Sequence, residues 1–172
     1  MRDGLIFVDN ALRGVGLRDS IKIVAAGKIV TGVDIFRTIA LGADMCNAAR
    51  SMMFALGCIQ ARRCNDNACP VGIATHDPSH VVGLHPVEKA QRVHRYHEET
   101  ILSFSEILAA AGLGSADQIR PEHIVRRVAT NQVLNFEALY PRLETGALLG
   151  AKVPSAWADG WQQSSASRFQ RS

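Results

Sequence analysis

The sequence has no long apolar run, no large excess of charge and little proline. Its longest uncharged stretch, residues 51–61, stops at Arg62 and is too short to cross a membrane. Nineteen basic and sixteen acidic residues leave a net charge of +3, which gives no reason to expect a nucleic-acid partner. Six prolines and 14 glycines among 172 residues, 47% of them apolar, exclude a collagen, a disordered tail and a small disulfide scaffold. The composition is that of one domain-sized chain with an apolar core.

We also expect no export signal, because Asp9 and Asn10 interrupt the short apolar patch near the N-terminus. We therefore expect a soluble, cytoplasmic protein that binds neither membrane nor nucleic acid. Structural disulfides are then unexpected, since that compartment keeps thiols reduced.

Three of the four cysteines lie within twelve residues, in the pattern C-x5-C-x4-C. These are Cys58, Cys64 and Cys69. Clustered thiols in a reduced protein usually hold a metal, and three thiolates fit an iron–sulfur cluster that lacks one iron. Zinc completed by His76, or no metal at all, are alternatives that the spacing leaves open. The fourth cysteine, Cys46, is interpreted as a small buried apolar residue.

The first third of the chain alternates predicted helices and strands. A helix is expected over residues 3–12, a buried strand over 21–25, a helix from Thr31 to Gly42 and a less certain strand over 43–47. Helix, strand, helix and strand at this spacing predict a parallel α/β architecture.

The rest of the chain is predicted to form a loop followed by helices. We expect a loop over residues 70–85, a long helix over 86–112, another helix over 121–128 and an aperiodic tail over 151–172. The long helix has a predicted apolar stripe of Ala90, Val93, His97, Ile101, Phe104, Leu108 and Ala111.

Two strands are too few for the fold that this alternation suggests. A parallel pair leaves both outer edges unpaired and does not form a stable sheet alone. Either further strands come from elsewhere, or the chain is a piece of a larger protein.

Five stretches together resemble a known family: residues 16–32, 40–44, 54–60, 69–75 and 120–127. The cysteine spacing followed by Cys-Pro-Val-Gly-Ile-Ala-Thr is the most specific of these features. The chain is similar to the FMN-binding central domain of glutamate synthases, the group that includes ferredoxin-dependent and archaeal-type enzymes. The similarity covers nearly the whole chain, but it corresponds to the C-terminal portion of that domain only.

The resemblance implies a TIM (β/α)8 barrel of which this chain supplies about the last two strands, followed by an iron–sulfur loop and C-terminal helices. It implies an FMN-dependent oxidoreductase that makes L-glutamate from 2-oxoglutarate and ammonia or glutamine. Electrons would come from ferredoxin or a pyridine-nucleotide-dependent subunit through a three-iron (3Fe-4S) cluster. About six strands are missing relative to a complete barrel, so a second polypeptide is expected to supply them.

The resemblance also implies site residues. Cys58, Cys64 and Cys69 are the expected cluster ligands. Phosphate sites in such barrels lie in the loops after the seventh and eighth strands. Here those loops contain the expected flavin-phosphate residues, which are Gly27, Lys28, Ala49 and Arg50. A tight turn with two ordinary surface cations is the alternative interpretation. No group with the character of a catalytic base stands out, and the catalytic residues are unassigned.

The predicted domain organisation follows from these motifs. Residues 1–57 are expected to form the last barrel units, 58–85 the cysteine loop, 86–150 the C-terminal helices and 151–172 the tail. The competing interpretation of function is a truncated, non-catalytic metal-binding module, with zinc or an iron–sulfur cluster, or an inactive gene fragment.

Overall fold

The computed structural model describes residues 2–167. In this range the elements are, in chain order, α1 (Arg2–Gly14), β1 (Val24–Ala26), α2 (Gly32–Ala40), β2 (Met45–Asn47), α3 (Arg50–Leu56), α4 (Pro78–Val81), α5 (Pro86–Ala110), β3 (Val125–Ala129), β4 (Gln132–Asn135), α6 (Phe136–Leu139) and α7 (Ser155–Gln162). Short 3-10 helices occupy Ala116–Gln118 and Pro121–His123. None of the helices in the described range combines the length and apolar character that a bilayer crossing requires.

The fold is mixed α/β with few strands. β1 and β2 form one two-stranded sheet, and β3 and β4 form another, which is antiparallel. The chain divides into two compact units. The first unit comprises Met1–Ile23, Ala40–Met45 and Arg120–Ser172, and the second comprises Val24–Ile39 and Cys46–Ile119.

The first unit has a buried ion-pair network centred on Asp9. Its carboxylate accepts hydrogen bonds from Nε of Arg13 at 2.8 Å and Nε of Arg18 at 2.6 Å, while Nε of Arg142 lies 3.8 Å away. Arg18 also pairs with Asp44 at 2.9 Å. Burial acts to lower the pKa of Arg18, but the hydrogen bonds to Asp9 and Asp44 outweigh it and raise that pKa. We call these five residues the Asp9 network.

A C-terminal segment of the first unit packs along α1. The backbone N–H of Leu148 donates to the carbonyl of Gly14 at 2.9 Å, and that of Leu143 donates to Oδ1 of Asn10 at 2.8 Å. A Cβ at Gly14 would lie 2.4 Å from Cγ of Leu148, so only glycine allows this close approach. The segment and α1 therefore form one packed layer.

The predicted aperiodic tail contains a helix, α7. Trp157 on this helix stacks on Phe7, with ring centroids 5.0 Å apart and planes 11° from parallel. The prediction of an aperiodic segment was wrong here, because Trp157 and Trp161 stand four residues apart and so share one helix face. Residues 168–172 of the predicted tail lie outside the described residues.

The second unit is organised around α5. This helix contacts α3, and Gly32 at the start of α2 lies so close to it that a Cβ would come within 2.5 Å of the Phe104 backbone nitrogen. The Tyr96 hydroxyl donates to the carbonyl of Val30. Three parts of the second unit are thus held against one helix.

The predicted apolar stripe of α5 is displaced from the face that packs. Leu108 is buried as expected, but His97 is exposed and Ile101 is 43% exposed. The face that packs includes Tyr96 and Thr100, whose hydroxyls donate to backbone carbonyls. A prediction that counts only apolar residues misses this face, because polar side chains form part of it.

The predicted strand at residues 21–25 is shorter than expected and begins only at β1. The N–H of Ile23 donates to Oδ2 of Asp44 at 2.7 Å, and the carbonyl of Ile21 accepts from Arg18 at 3.0 Å. Side chains thus take backbone groups that a longer strand would use. The second predicted strand is likewise reduced to the three residues of β2.

The predicted helix at residues 121–128 is wrong. One 3-10 turn is followed by β3, which pairs with β4 so that Val125 faces Asn135 and Ala129 faces Gln132. The helix prediction rested on the proline at the start, whereas the β-branched residues that follow favour a strand. The region after α5 is therefore a hairpin with short helices.

Candidate functional site

The cysteine loop begins where α3 ends. Gly57 caps this helix with φ +103°, and the N–H of Cys58 donates to the carbonyl of Met53 at 3.0 Å. The loop runs from Cys58 to Asp77, where Asp77 caps the short helix α4 by accepting from the Ser79 backbone. α4 lies inside residues 70–85, which were expected to be loop throughout.

Each of the three predicted ligands has a different environment. Cys58 is half-buried, and its Sγ accepts from the N–H of Gln60 at 3.5 Å. Cys64 is exposed and Cys69 is buried, with 7% of its surface accessible. Hydrogen bonds from backbone N–H groups lower the pKa of the Cys69 thiol, the group of Ala74 contributing most.

The N–H groups around Cys69 come from the residues that follow it. They belong to Val71, Gly72, Ile73 and Ala74. Gly72 has φ +75°, and a Cβ there would lie 2.4 Å from the carbonyl oxygen of His80. The Cys-Pro-Val-Gly-Ile-Ala-Thr motif therefore forms a tight turn on its first residue, in which the N–H of Gly72 donates to the carbonyl of Cys69 at 3.3 Å.

Asn67 closes the loop across this motif. Its carbonyl oxygen accepts from the Thr75 hydroxyl at 2.6 Å, and its side-chain Oδ1 accepts from the N–H of His76 at 2.7 Å. The Thr75 oxygen in turn accepts from the N–H of Asp77 at 3.0 Å. Nothing in the sequence singled out Asn67, whose only local signal is that asparagine tolerates left-handed backbone.

Positive side chains lie beside the Cys58 end of the loop. A Cβ at Gly57 would stand 3.5 Å from Nζ of Lys89 and 3.8 Å from a guanidinium nitrogen of Arg92, both on α5. Within the loop, Arg62 is exposed and Arg63 pairs with Asp66 at 2.6 Å. Cations therefore lie both on α5 beside Gly57 and within the cysteine loop.

The donor set fits an iron–sulfur cluster in its chemistry. It contains three thiols in one loop, and N–H groups directed at sulfur are typical of the surroundings that tune such clusters. Within residues 2–167, however, no three His, Cys, Asp or Glu side chains stand in an arrangement that would hold a metal ion. The structure thus brings the three cysteines into one loop but not to one point.

Cys46 differs from the loop cysteines. It lies on β2, is half-buried, and burial raises the pKa of its thiol to about 11. A thiol that stays protonated at neutral pH is a poor metal ligand. This agrees with its interpretation as an apolar packing residue.

The predicted phosphate residues stand on two neighbouring segments. Gly27 and Lys28 follow β1 and both have left-handed backbone, with φ +111° and +57°. Ala49 caps the start of α3 without a side-chain hydrogen bond, and Arg50 is the first residue of that helix. The chain thus offers two cations and uncapped helical N–H groups in this part of the second unit.

A buried hydrogen bond joins these two segments. The Ser51 hydroxyl, in the first turn of α3, donates to the carbonyl of Ile29 at 3.0 Å. Sequence analysis missed Ser51 and also Tyr96, which holds the next carbonyl along the chain. The two hydroxyls, one on α3 and one on α5, hold consecutive carbonyls of the loop after β1.

Residues 1–114 match the family model described as the conserved region in glutamate synthase. The chain belongs to the glutamate synthase family. This confirms the resemblance drawn from the motifs, and the matched residues contain both the loop after β1 and the cysteine loop.

Curated relatives agree with this assignment. The chain is 41% identical over 135 residues to the glutamate synthase large subunit-like protein YerD of Bacillus subtilis, which is 78% of this chain and 26% of that protein. It is 41% identical over 113 residues to the archaeal glutamate synthase (NADPH) of Methanocaldococcus jannaschii, covering 66% and 22% of the two chains. Against the glutamate synthase (NADH) of Saccharomyces cerevisiae it is 31% identical over 144 residues, covering 81% and 6%.

The chain therefore spans about a quarter of the length of the first two relatives and 6% of the length of the yeast enzyme. The activities named for those whole proteins belong to chains much longer than this one.

Proposed function

We propose that this chain is part of a glutamate synthase-like oxidoreductase and carries its electron-relay loop and part of its flavin site. The complete enzyme would catalyse the FMN-dependent, reductive formation of L-glutamate from 2-oxoglutarate and ammonia or glutamine. Ferredoxin or a pyridine-nucleotide-dependent subunit would donate the electrons. The observation that carries the proposal is the tight turn of the Cys69 motif, in which the N–H of Gly72 donates to the carbonyl of Cys69, inside the residues that match the family.

In this proposal Cys58, Cys64 and Cys69 hold a three-iron cluster, which supplies one-electron transfer when it is bound. Support comes from the backbone N–H groups that lower the pKa of the Cys69 thiol, because they favour the thiolate, which is the form that binds metal. Lys89 and Arg92 give further support, because positive charge near Cys58 offsets the negative charge of three thiolates and their cluster.

Backbone strain in the cysteine loop also supports a binding role. Gln60, Arg62 and Asn67 all have left-handed backbone, with φ between +56° and +60°, and none is glycine. Each such residue costs on the order of 1–3 kcal/mol, and such residues cluster at functional sites. Three within eight positions make this the most strained segment among the described residues outside glycine turns.

The flavin phosphate is proposed to bind at Gly27, Lys28, Ala49 and Arg50. Gly27 allows close backbone approach, while the two cations offset the charge of a phosphate. The N-cap residue Ala49 offers no side-chain oxygen to the first turn of α3, so those N–H groups are available to an anion.

We further propose that the missing barrel strands come from another polypeptide segment. Val24 on β1 is 54% exposed and Met45 on β2 is 51% exposed, although the strands of a parallel barrel normally have both faces covered. The two-stranded sheet of β1 and β2 also leaves strand edges for pairing.

The test of the cluster is a joint analysis of iron, sulfide, zinc and FMN in anaerobically purified protein, with an electron paramagnetic resonance spectrum of the same sample. About three irons per chain and a three-iron signal are expected. Zinc in place of iron would replace the relay by a structural metal site. A sample that contains neither metal nor flavin would contradict the proposal for this chain on its own.

Matched cysteine variants sharpen this test. Cys64→Ser removes the exposed predicted ligand and is expected to lose most of the iron. Cys46→Ser removes a thiol with a pKa of about 11 and is expected to keep wild-type iron content. Equal iron in both variants would contradict the assigned ligands while leaving the family assignment untouched.

The phosphate site is tested by comparing FMN with riboflavin, which lacks the phosphate, through quenching of flavin fluorescence. Lys28→Gln and Arg50→Gln are expected to weaken FMN binding by about tenfold each, as loss of a charge-assisted hydrogen bond predicts. Riboflavin binding should not change. A parallel loss for both flavins would place these residues outside the phosphate site.

A further inference from the structure

Asn67 stands at the point where the cysteine loop closes on itself. Its carbonyl oxygen and its Oδ1 accept hydrogen bonds from Thr75 and His76, at 2.6 and 2.7 Å. The two bonds join residue 67 to residues 75–76 and so enclose the segment that contains Cys69. One residue thus makes both hydrogen bonds that join the two ends of this segment.

The backbone of Asn67 is matched to this role. Its φ of +60° lies in the left-handed region, which asparagine adopts more readily than most residues. The same conformation turns the chain so that both oxygens of one residue meet consecutive residues on the other side of the loop. Asparagine therefore supplies the conformation and the acceptor together.

The enclosed segment contains Cys69 and the turn that follows it, in which the N–H of Gly72 donates to the carbonyl of Cys69 at 3.3 Å. Residues 71–74 lie directly before the two residues that Asn67 holds. A Cβ at Gly72 would lie 2.4 Å from the carbonyl oxygen of His80, so the middle of this turn is closely packed. The end of the turn nearest Thr75 is held by Asn67.

We infer that Asn67 is a positioning residue, which clamps residues 75–76 and thereby holds the turn of residues 71–74 in place beside Cys69. The inference rests on the proposed role of Cys69 as a cluster ligand. It adds to that proposal a residue that touches neither metal nor thiol.

The test uses hydrogen–deuterium exchange of the metal-free full chain, followed by mass spectrometry of the peptide that contains residues 68–76. Asn67→Gly keeps the left-handed backbone but removes the side-chain acceptor, and it should speed exchange in this peptide by about tenfold. Asn67→Asp keeps an acceptor and tolerates the same backbone, so exchange should stay within about twofold of wild type. Asn65→Gly, an exposed asparagine in the same loop, is the matched control.

A second readout is the iron content and the three-iron signal after anaerobic reconstitution with iron and sulfide. Asn67→Gly is expected to retain less than about half the wild-type iron, with Asn67→Asp restoring it. A merely structural role would not give loss with glycine and rescue with aspartate while the thermal unfolding midpoint stays constant.

The outcomes separate this inference from the proposed function. If wild type binds iron and Asn67→Gly matches it in both readouts, the clamp is overturned and the proposed function stands. If wild type binds no iron while exchange still rises in Asn67→Gly alone, the clamp stands and the cluster proposal fails. An equal rise in Asn65→Gly would also overturn the clamp, because the effect would then belong to any asparagine of the loop.

Discussion

The two units of this chain use charge and backbone in opposite ways. In the Asp9 network of the first unit, one carboxylate that is 2% exposed meets three arginines, and its hydrogen bonds are made within the fold. In the cysteine loop of the second unit, Lys89 and Arg92 lie beside Gly57, and three non-glycine residues have left-handed backbone. The first arrangement pairs its charges within the fold, whereas the second has backbone strain and no central ion pair of this kind.

Removing the central carboxylate should have the largest effect. Asp9→Asn leaves three arginines without their common partner, and breaking a buried ion pair in this way costs about 3–5 kcal/mol. We expect that loss in the free energy of unfolding, measured by urea denaturation with far-ultraviolet circular dichroism. Iron bound per folded chain should not change.

The control for Asp9 is Asp19→Asn, which removes an exposed carboxylate and should change stability by less than about 0.5 kcal/mol. If the two variants lose the same stability, the Asp9 network does not have the central role assigned to it.

Acid should weaken the first unit through Asp44. Burial acts to raise the pKa of this carboxyl, but hydrogen bonds from the N–H of Ile23 and from Arg18 outweigh it, so the pKa is lowered. A carboxyl with a lowered folded pKa stabilises the protein above its unfolded pKa of about 4, and this contribution is lost as pH falls through the folded value. Asp44→Ala should therefore lower the free energy of unfolding at pH 7 by about 1.5–3 kcal/mol.

The difference between Asp44→Ala and wild type should narrow as the pH falls from about 5 towards 2, because both proteins then lack the charged carboxylate. Urea denaturation across this range measures it, with Asp3→Ala, an exposed carboxylate, as the control. A difference that stays constant over the whole range would contradict the assigned role of charge.

A change in the second unit should affect metal more than stability. Gly72→Ala places a side chain at φ +75° and 2.4 Å from the His80 carbonyl, so the Cys69 motif must shift. We expect a stability loss of about 1–2 kcal/mol from the left-handed backbone and a loss of more than about half the bound iron.

Gly83→Ala is the matched control, because its Cβ would lie 3.3 Å from the same carbonyl and needs only a small adjustment. It should keep its iron. Full iron retention in Gly72→Ala would show that the Cys69 environment is not needed for binding.

The smallest expected effect comes from the helix α7. Trp157→Ala removes the stack on Phe7 and should cost about 0.5–1.5 kcal/mol beyond the lost apolar burial. Far-ultraviolet circular dichroism during urea denaturation reports the change without relying on tryptophan fluorescence. Trp161→Ala on the same helix should cost less, and the opposite order would mean that the stack does not anchor α7.

Local signals in the sequence predicted part of the fold well. Thr31 and Asp34 form the expected cap of α2, with the N–H of Thr31 donating to Asp34 at 3.1 Å and the N–H of Asp34 donating to Thr31 at 3.3 Å. The bounds of α5 were also expected from its first proline and the glycine after its end. Both signals act within a few residues of the helix end, so the local sequence is enough to predict them.

Other features depend on partners distant in the chain. The short β1 follows from the bonds that Asp44 and Arg18 make to residues 21 and 23, and the hairpin after α5 depends on pairing with β4. At the candidate site, the cysteine spacing predicted a set of three ligands, and that set stays a prediction. Asn67, Ser51 and Tyr96 act through backbone carbonyls or amides, which no side-chain pattern reveals.

The helix α5 touches both loops of the second unit, at Arg92 beside Gly57 and at Tyr96 against Val30. The two contacts lie four residues apart, which is about 6 Å along the helix and a little more than one helical turn. One inserted or deleted residue between Arg92 and Tyr96 would rotate the contacts by about 100° relative to each other. We therefore expect a change of length in this interval to break one of the two contacts.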